Sequence, residues 1–220
     1  MDAGMSEEQH RVSARLNAFL AARGLEPLDS ALAARFEDYL SLLLRWNVRV
    51  NLTAIRDEEG ILSRHFVESI LCARALPAGI VTLLDFGSGA GFPGIPIALC
   101  RPEIDVTLAE SKGKKAAFLQ EAIRVLGISA KVYAQRAESL SAQFDCVTLR
   151  AVDHMPQAVK AASRLVAPNG WLALMTTGAD LAALQLAAGP AWSWSKALPL
   201  PGGGDRLLAL GERGSGAVAG

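Results

Sequence analysis

Residues Ile80 to Gly94, IVTLLDFGSGAGFPG, constrain the fold more than any other stretch. Ile80 to Phe86 is a short apolar run rich in leucine and β-branched residues, which predicts a strand buried on both faces. Glycines then follow at positions 87, 89, 91 and 94. Only glycine turns this tightly without steric cost and lets a ligand approach bare main chain. Pro93 has the fixed φ of a first helical position, so a helix is expected from Pro93 through Cys100. A strand, a glycine-rich turn and a helix start make a pocket of exposed backbone N–H groups.

Two ligands suit that loop. Gly89-x-Gly91-x-x-Gly94 fits the dinucleotide fingerprint GxGxxG. Asp85-x-Gly87-x-Gly89-x-Gly91 fits the S-adenosylmethionine loop of class I methyltransferases. The rest of the chain has to decide between them.

From Ile80 onward strands alternate with helices. Ile104 to Ala109 reads as the second strand, Lys112 to Leu126 as a helix stopped by Gly127, and Ala130 to Ala134 as the third strand. Phe144 to Leu149 reads as the fourth, with Arg150 at its edge. A helix follows over Met155 to Val166, a Pro168-Asn169-Gly170 turn, a fifth strand over Trp171 to Thr176 and a helix over Ala179 to Ala188. This alternation implies a parallel sheet with right-handed crossovers. The last runs, Trp192 to Leu200 and Arg206 to Leu210, are joined too closely for a parallel crossover and predict an antiparallel hairpin. A parallel sheet ending in a hairpin departs from the six-strand dinucleotide fold and matches the methyltransferase variant. Upstream, helices are expected over Ser6 to Ala22, from Asp29-Ser30 to Trp46, and over Glu58 to Leu76. Together they form an N-terminal helical cap (1–76), too small for a large core of its own, on a main domain (77–212). A tail (213–220) is expected to be disordered.

The 220 residues carry 22 basic and 22 acidic side chains, so any basic footprint is local. Arg45, Arg49, Arg56, Arg64, Lys112, Lys114 and Lys115 are the candidates. Three scattered cysteines predict buried thiols in a reducing compartment and no metal site. No apolar run reaches the roughly 18 residues of a membrane span. The acidic N-terminus has no apolar segment behind it, which predicts no signal peptide and a cytoplasmic protein.

Glu110, just past the second strand, is placed to accept hydrogen bonds from ribose hydroxyls of either ligand. Arg136-Ala137-Glu138 follows the third strand, where an adenine would lie. Arg150 stands at the switch point, where ligands of open α/β sheets bind, and can hold a carboxylate or the substrate.

The segments WNVRVNLTAIRDEEGILSRHFVESI, LLDFGSGAGFPGIPIALCRPEIDVTLAESKGKKAAFLQ, RAE and LRA resemble the bacterial 16S ribosomal RNA guanine-N7 methyltransferase family of the glucose-inhibited-division B (RsmG) type. The likeness is close from Trp46 to Ala151 and looser elsewhere. It implies a class I S-adenosylmethionine-dependent methyltransferase fold: a Rossmann-like parallel sheet with a C-terminal antiparallel hairpin and an N-terminal helical cap. It also implies S-adenosylmethionine as donor, and 16S ribosomal RNA or the small-subunit particle as partner. Donor contacts map onto Gly87, Phe92, Ala137, Glu138 and Arg150; Gly89, Gly91 and Glu110 join them from the loop pattern. Asn51, Arg64 and His65 are expected to face the substrate, and Arg150 to serve catalysis. A monomer is expected. Two positions depart from the family pattern: Leu149 replaces a usual serine, and Thr177 replaces a usual lysine. Guanine N7 has a free lone pair, so alignment and water exclusion are needed rather than a general base. The rival expectations are a nicotinamide oxidoreductase and an inactive ribosome-assembly or RNA-binding protein of the same fold.

Overall fold

The computed structural model describes residues 3–201 and 204–215. Helix α1 (Ala3–Ala21) leads into α2 (Ser30–Asn47), whose first turn is capped by the Asp29 carboxylate accepting from the Leu32 N–H at 2.8 Å. The third predicted helix is three pieces in one rod: α3 (Glu58–Gly60), a π-helical stretch (Ile61–Phe66) and α4 (Val67–Ala75). Such π segments gather at functional sites, and this one carries Arg64 and His65.

The sheet follows: β1 (Thr82–Phe86), α5 (Gly94–Cys100), β2 (Asp105–Ala109), α6 (Gly113–Leu126) and β3 (Ala130–Tyr133). After a 3-10 turn (Ala137–Ser139) come β4 (Phe144–Arg150), α7 (Met155–Leu165), β5 (Val166–Thr177) and α8 (Gly178–Ala188). The chain closes with β6 (Trp192–Trp194), β7 (Leu198–Pro199) and β8 (Arg206–Arg213). The strand order is β3-β2-β1-β4-β5-β8-β6, with β7 also on β8. Strands β1 to β5 pair in parallel, while β8 runs antiparallel to β5, β6 and β7.

Strand residues alternate between two cores. Leu83, Val106 and Cys146 face the cap helices, α5 and α6; Leu84, Val147 and Leu149 face α7 and α8. Leu16, Phe36, Tyr39 and Phe66 of the N-terminal helices share one core with Ile95 and Phe118, so the cap completes the sheet's first face.

Four boundaries differ from expectation. Pro93 precedes α5 as its cap, after a cis Phe92–Pro93 bond, instead of opening the helix. The Pro168-Asn169-Gly170 turn is a bulge within β5: the register steps from Phe144↔Val166 to Cys146↔Trp171, and Asn169 takes φ +60°. The Trp192 to Leu200 run is two short strands. Arg213, assigned to the tail, ends β8; of that tail, residues 216–220 lie outside the described residues.

Candidate active site

The loop after β1 is a compact set of turns. The Ser88 N–H donates to the Ala109 carbonyl (2.9 Å) and the Gly91 N–H to the Ser88 carbonyl (2.7 Å). Gly87, Gly89 and Gly91 all have positive φ. Their reasons differ. A Cβ on Gly89 would meet open space, with only the Gly87 carbonyl oxygen at 3.9 Å, so its main chain is open to a neighbour. A Cβ on Gly91 would strike Ile95 Cδ1 at 2.4 Å and Tyr39 Oη at 2.9 Å. Gly91 is therefore a packing glycine and, unlike Gly87 and Gly89, lies outside the cleft lining.

Two carboxylates brace the loop. Glu110 Oε2 accepts from the Gly89 N–H at 3.0 Å, and Oε1 from the Lys112 N–H at 2.7 Å. Asp85, buried at the end of β1, accepts from Thr148 Oγ1 at 2.8 Å and from the Gly94 N–H at 3.2 Å. Burial raises the Asp85 carboxyl to about 6, against the pull of those bonds and of Arg150. From above, the Tyr39 hydroxyl of α2 donates to the Ala90 carbonyl at 2.5 Å. Its ring stacks on Phe66 (5.2 Å, 12°) and leans on Phe92 (5.4 Å).

His65 stacks on the same Phe92 (4.6 Å, 19°) and its Nε2 lies 2.7 Å from Thr53 Oγ1. Its Nδ1 is buried without a partner. Burial, then the charges of Arg150, Arg64 and Arg206, lower the imidazole to about 3, so the ring is neutral. Asn47 shapes the neighbouring loop: its Oδ1 accepts from the Leu52 and Thr53 N–H groups at 2.9 and 3.1 Å.

Arg150, at the carboxyl end of β4, donates through Nη2 to Glu68 Oε2 (2.8 Å) and the Arg64 carbonyl (3.0 Å), and through Nη1 to Ser69 Oγ (3.4 Å). The other oxygen of Glu68 takes Arg206 Nε at 2.8 Å, with Arg206 Nη2 at 2.6 Å in ion-pair contact.

These groups enclose a cleft of about 1250 Å³, larger than the usual range for one small ligand. Gly87, Gly89, Phe92, Glu110, Ala137, Glu138, Arg150, Arg64 and His65 all line it. Asn51 does not: it is exposed, outside the lining, and accepts from Arg56 at 2.9 Å. Of the basic candidates, Arg64, Lys112 and Lys115 reach the lining; Arg136 joins them. Sequence reasoning missed Tyr39, Asn47, Glu68 and Arg206. Tyr39 looks like one more member of an apolar stripe, and Glu68 and Arg206 find each other only across the fold.

A family model described as GidB, rRNA small subunit methyltransferase G, matches residues 32–191. The chain belongs to this methyltransferase family. The ribosomal RNA small subunit methyltransferase G of Xanthomonas euvesicatoria pv. vesicatoria (strain 85-10) is 40% identical over 210 residues, covering 92% of this chain and 96% of that protein. The protein of the same name from Stenotrophomonas maltophilia (strain K279a) is 43% identical over 167 residues, 74% of this chain and 76% of that one. Among solved structures, a predicted O-methyltransferase from Agrobacterium tumefaciens superposes with TM-score 0.57 at 18% identity over 68% of this chain and 81% of its own. P. horikoshii TYW2 in complex with MeSAdo gives 0.54 at 12% identity over 68% of this chain and 62% of its own. The fold is that of the class I S-adenosylmethionine-dependent methyltransferases, and S-adenosylmethionine is the family's cofactor. With β8 antiparallel inside the sheet, the nicotinamide oxidoreductase expectation falls. Both departures from the family pattern are absorbed locally. Leu149 is wholly buried in the second core, and Thr177 caps α8, accepting from the Asp180 N–H at 3.2 Å.

Proposed function

We propose that this chain methylates N7 of a guanosine in 16S ribosomal RNA, free or within the small-subunit particle, as a cytoplasmic monomer. The observation that carries the reading is the cleft itself. A glycine loop with open main chain at Gly89, the Glu110 carboxylate and the Arg150 guanidinium meet at the carboxyl ends of parallel strands, in a chain of this family. The residues fit the cofactor: Gly89 presents backbone, Glu110 has lone pairs beyond those it spends on Gly89 and Lys112, and Arg150 offers cationic N–H groups to a carboxylate. Among the described residues no helix is long and apolar enough to cross a membrane.

Held by Gly89, Glu110 and Arg150, S-adenosylmethionine would supply an electrophilic methyl group, and because guanine N7 carries a free lone pair no proton would have to leave. The chain's side chains agree with that economy. Glu68 is held by two arginines, Asp85 by Thr148 and Gly94, and His65 is neutral and stacked. They orient and exclude water, and the imidazole, lowered to about 3, is too weak a base to draw a proton at neutral pH. Thr53 and His65 from the cap, with Phe92 from the loop, close the cleft over the sheet.

The test is transfer of labelled methyl from S-adenosylmethionine to small subunits from cells lacking the gene, with nucleoside analysis for N7-methylguanosine. No label, or label on another atom, overturns the reading. Arg150→Ala is expected to lose about 100-fold or more in rate, equivalent to about 2.7 kcal/mol of transition-state stabilisation. Its circular dichroism should be unchanged, because Arg206 remains on Glu68.

A further inference from the structure

Glu68 is among the least accessible charged side chains described, 1% exposed, and holds two guanidinium groups at once. Its three contacts join three distant parts of the chain: α4, the end of β4 and the start of β8. Burial pushes its carboxyl up and the facing arginines pull it down. Burying such a cluster adds little stability compared with an apolar contact of equal volume. Its place at the wall of the cleft calls for another explanation.

We infer that Glu68 is a positioning residue: it fixes the guanidinium plane of Arg150 against the methyl donor. This rests on the reading of the cleft as the donor site. Nη2 of Arg150 is tied to Glu68 Oε2 and to the Arg64 carbonyl, two acceptors on one rod, at 2.8 and 3.0 Å. Two bonds to one nitrogen define where the planar group lies. Among the described residues, no group accepts from its Nε. The free edge of the guanidinium therefore has a set direction before any ligand arrives, which is where preorganisation gains affinity. Arg206 supplies the second counter-charge through Nε at 2.8 Å, which with Arg150 opposes the upward push of burial on the Glu68 carboxyl. Without the carboxylate, Arg64, Arg150 and Arg206 would face one another as like charges, and Arg150 would turn away.

The test is a double-mutant cycle read by calorimetric titration with S-adenosylhomocysteine. Glu68→Gln is expected to weaken binding about tenfold, the effect of one charge-assisted hydrogen bond. In an Arg150→Ala background the same change should have no further effect. Glu68→Asp keeps the charge but withdraws it, and is expected to weaken binding about threefold, again only when Arg150 is present. Changes in melting temperature should be smaller in the Arg150→Ala background, where one of the two cations on Glu68 is already gone. Binding within twofold of the unaltered protein for both variants overturns the inference, and so does an equal loss with and without Arg150. Failure of the unaltered protein to bind S-adenosylhomocysteine would overturn the donor site itself, an outcome separate from either.

Discussion

Asp85 sits buried under the loop, and its titration follows from that burial. Its carboxyl is raised from the ordinary 3.8 to about 6. A group raised on folding favours the folded state below its unfolded value and loses that advantage as pH climbs through its folded one. Asp85 therefore costs the protein about 3 kcal/mol of stability as pH rises from 4 through 6. In Asp85→Asn that decline should vanish. Melting curves of the two proteins from pH 4 to 8 should draw apart, the variant gaining on the parent as pH rises; parallel curves would show that the carboxylate is not held as described. Glu110 illustrates how far one residue was legible. Its place after β2 was readable from the βαβ pattern. That both its oxygens already brace Gly89 and Lys112 was not, because those bonds are made by the loop's own folding.

The elements are easier to read than their joints. Strand and helix periods marked every β and α segment from Thr82 to Ala188, because apolar alternation there is dense and both faces of the sheet are covered. The Glu58 to Leu76 rod was legible as a helix, but no propensity signals the π turn that carries Arg64 and His65. The β5 bulge reads in sequence as a turn because Asn169-Gly170 suits both, Asn169 taking positive φ in either. Contacts between elements were not legible at all. Tyr39 lies in the middle of an apolar stripe on α2, yet its hydroxyl grips the Ala90 carbonyl of the donor loop. Tyr39→Phe keeps the ring stack and removes that bond. It is expected to cost about 1 kcal/mol in chemical denaturation and to weaken S-adenosylhomocysteine binding several-fold by titration.

Over the whole molecule, the cap and the sheet share one hydrophobic core despite their different periods. Leu16, Leu20, Phe36, Tyr39, Leu43 and Phe66 are all completely buried in a core shared with α5 and α6. Each large apolar side chain removed from such a core forfeits about 1.5–3 kcal/mol, and a domain's total stability is only about 5–15 kcal/mol. A chain lacking residues 1–76 is expected to aggregate or to melt without a cooperative transition in scanning calorimetry. The intact chain should show a single one. The net charge of zero hides an uneven surface: Arg64, Lys112, Lys115 and Arg136 stand along one opening.

The crowding at Gly91 has a consequence for the history of such a chain. The room that a methyl group at position 91 would need is held by Ile95 and by a phenol oxygen rooted more than two helical turns before the end of another helix. A smaller residue at 39 would not by itself open that room, since Ile95 stands closer and the main chain at 91 runs at φ +90°, so two separate causes bind that position to glycine.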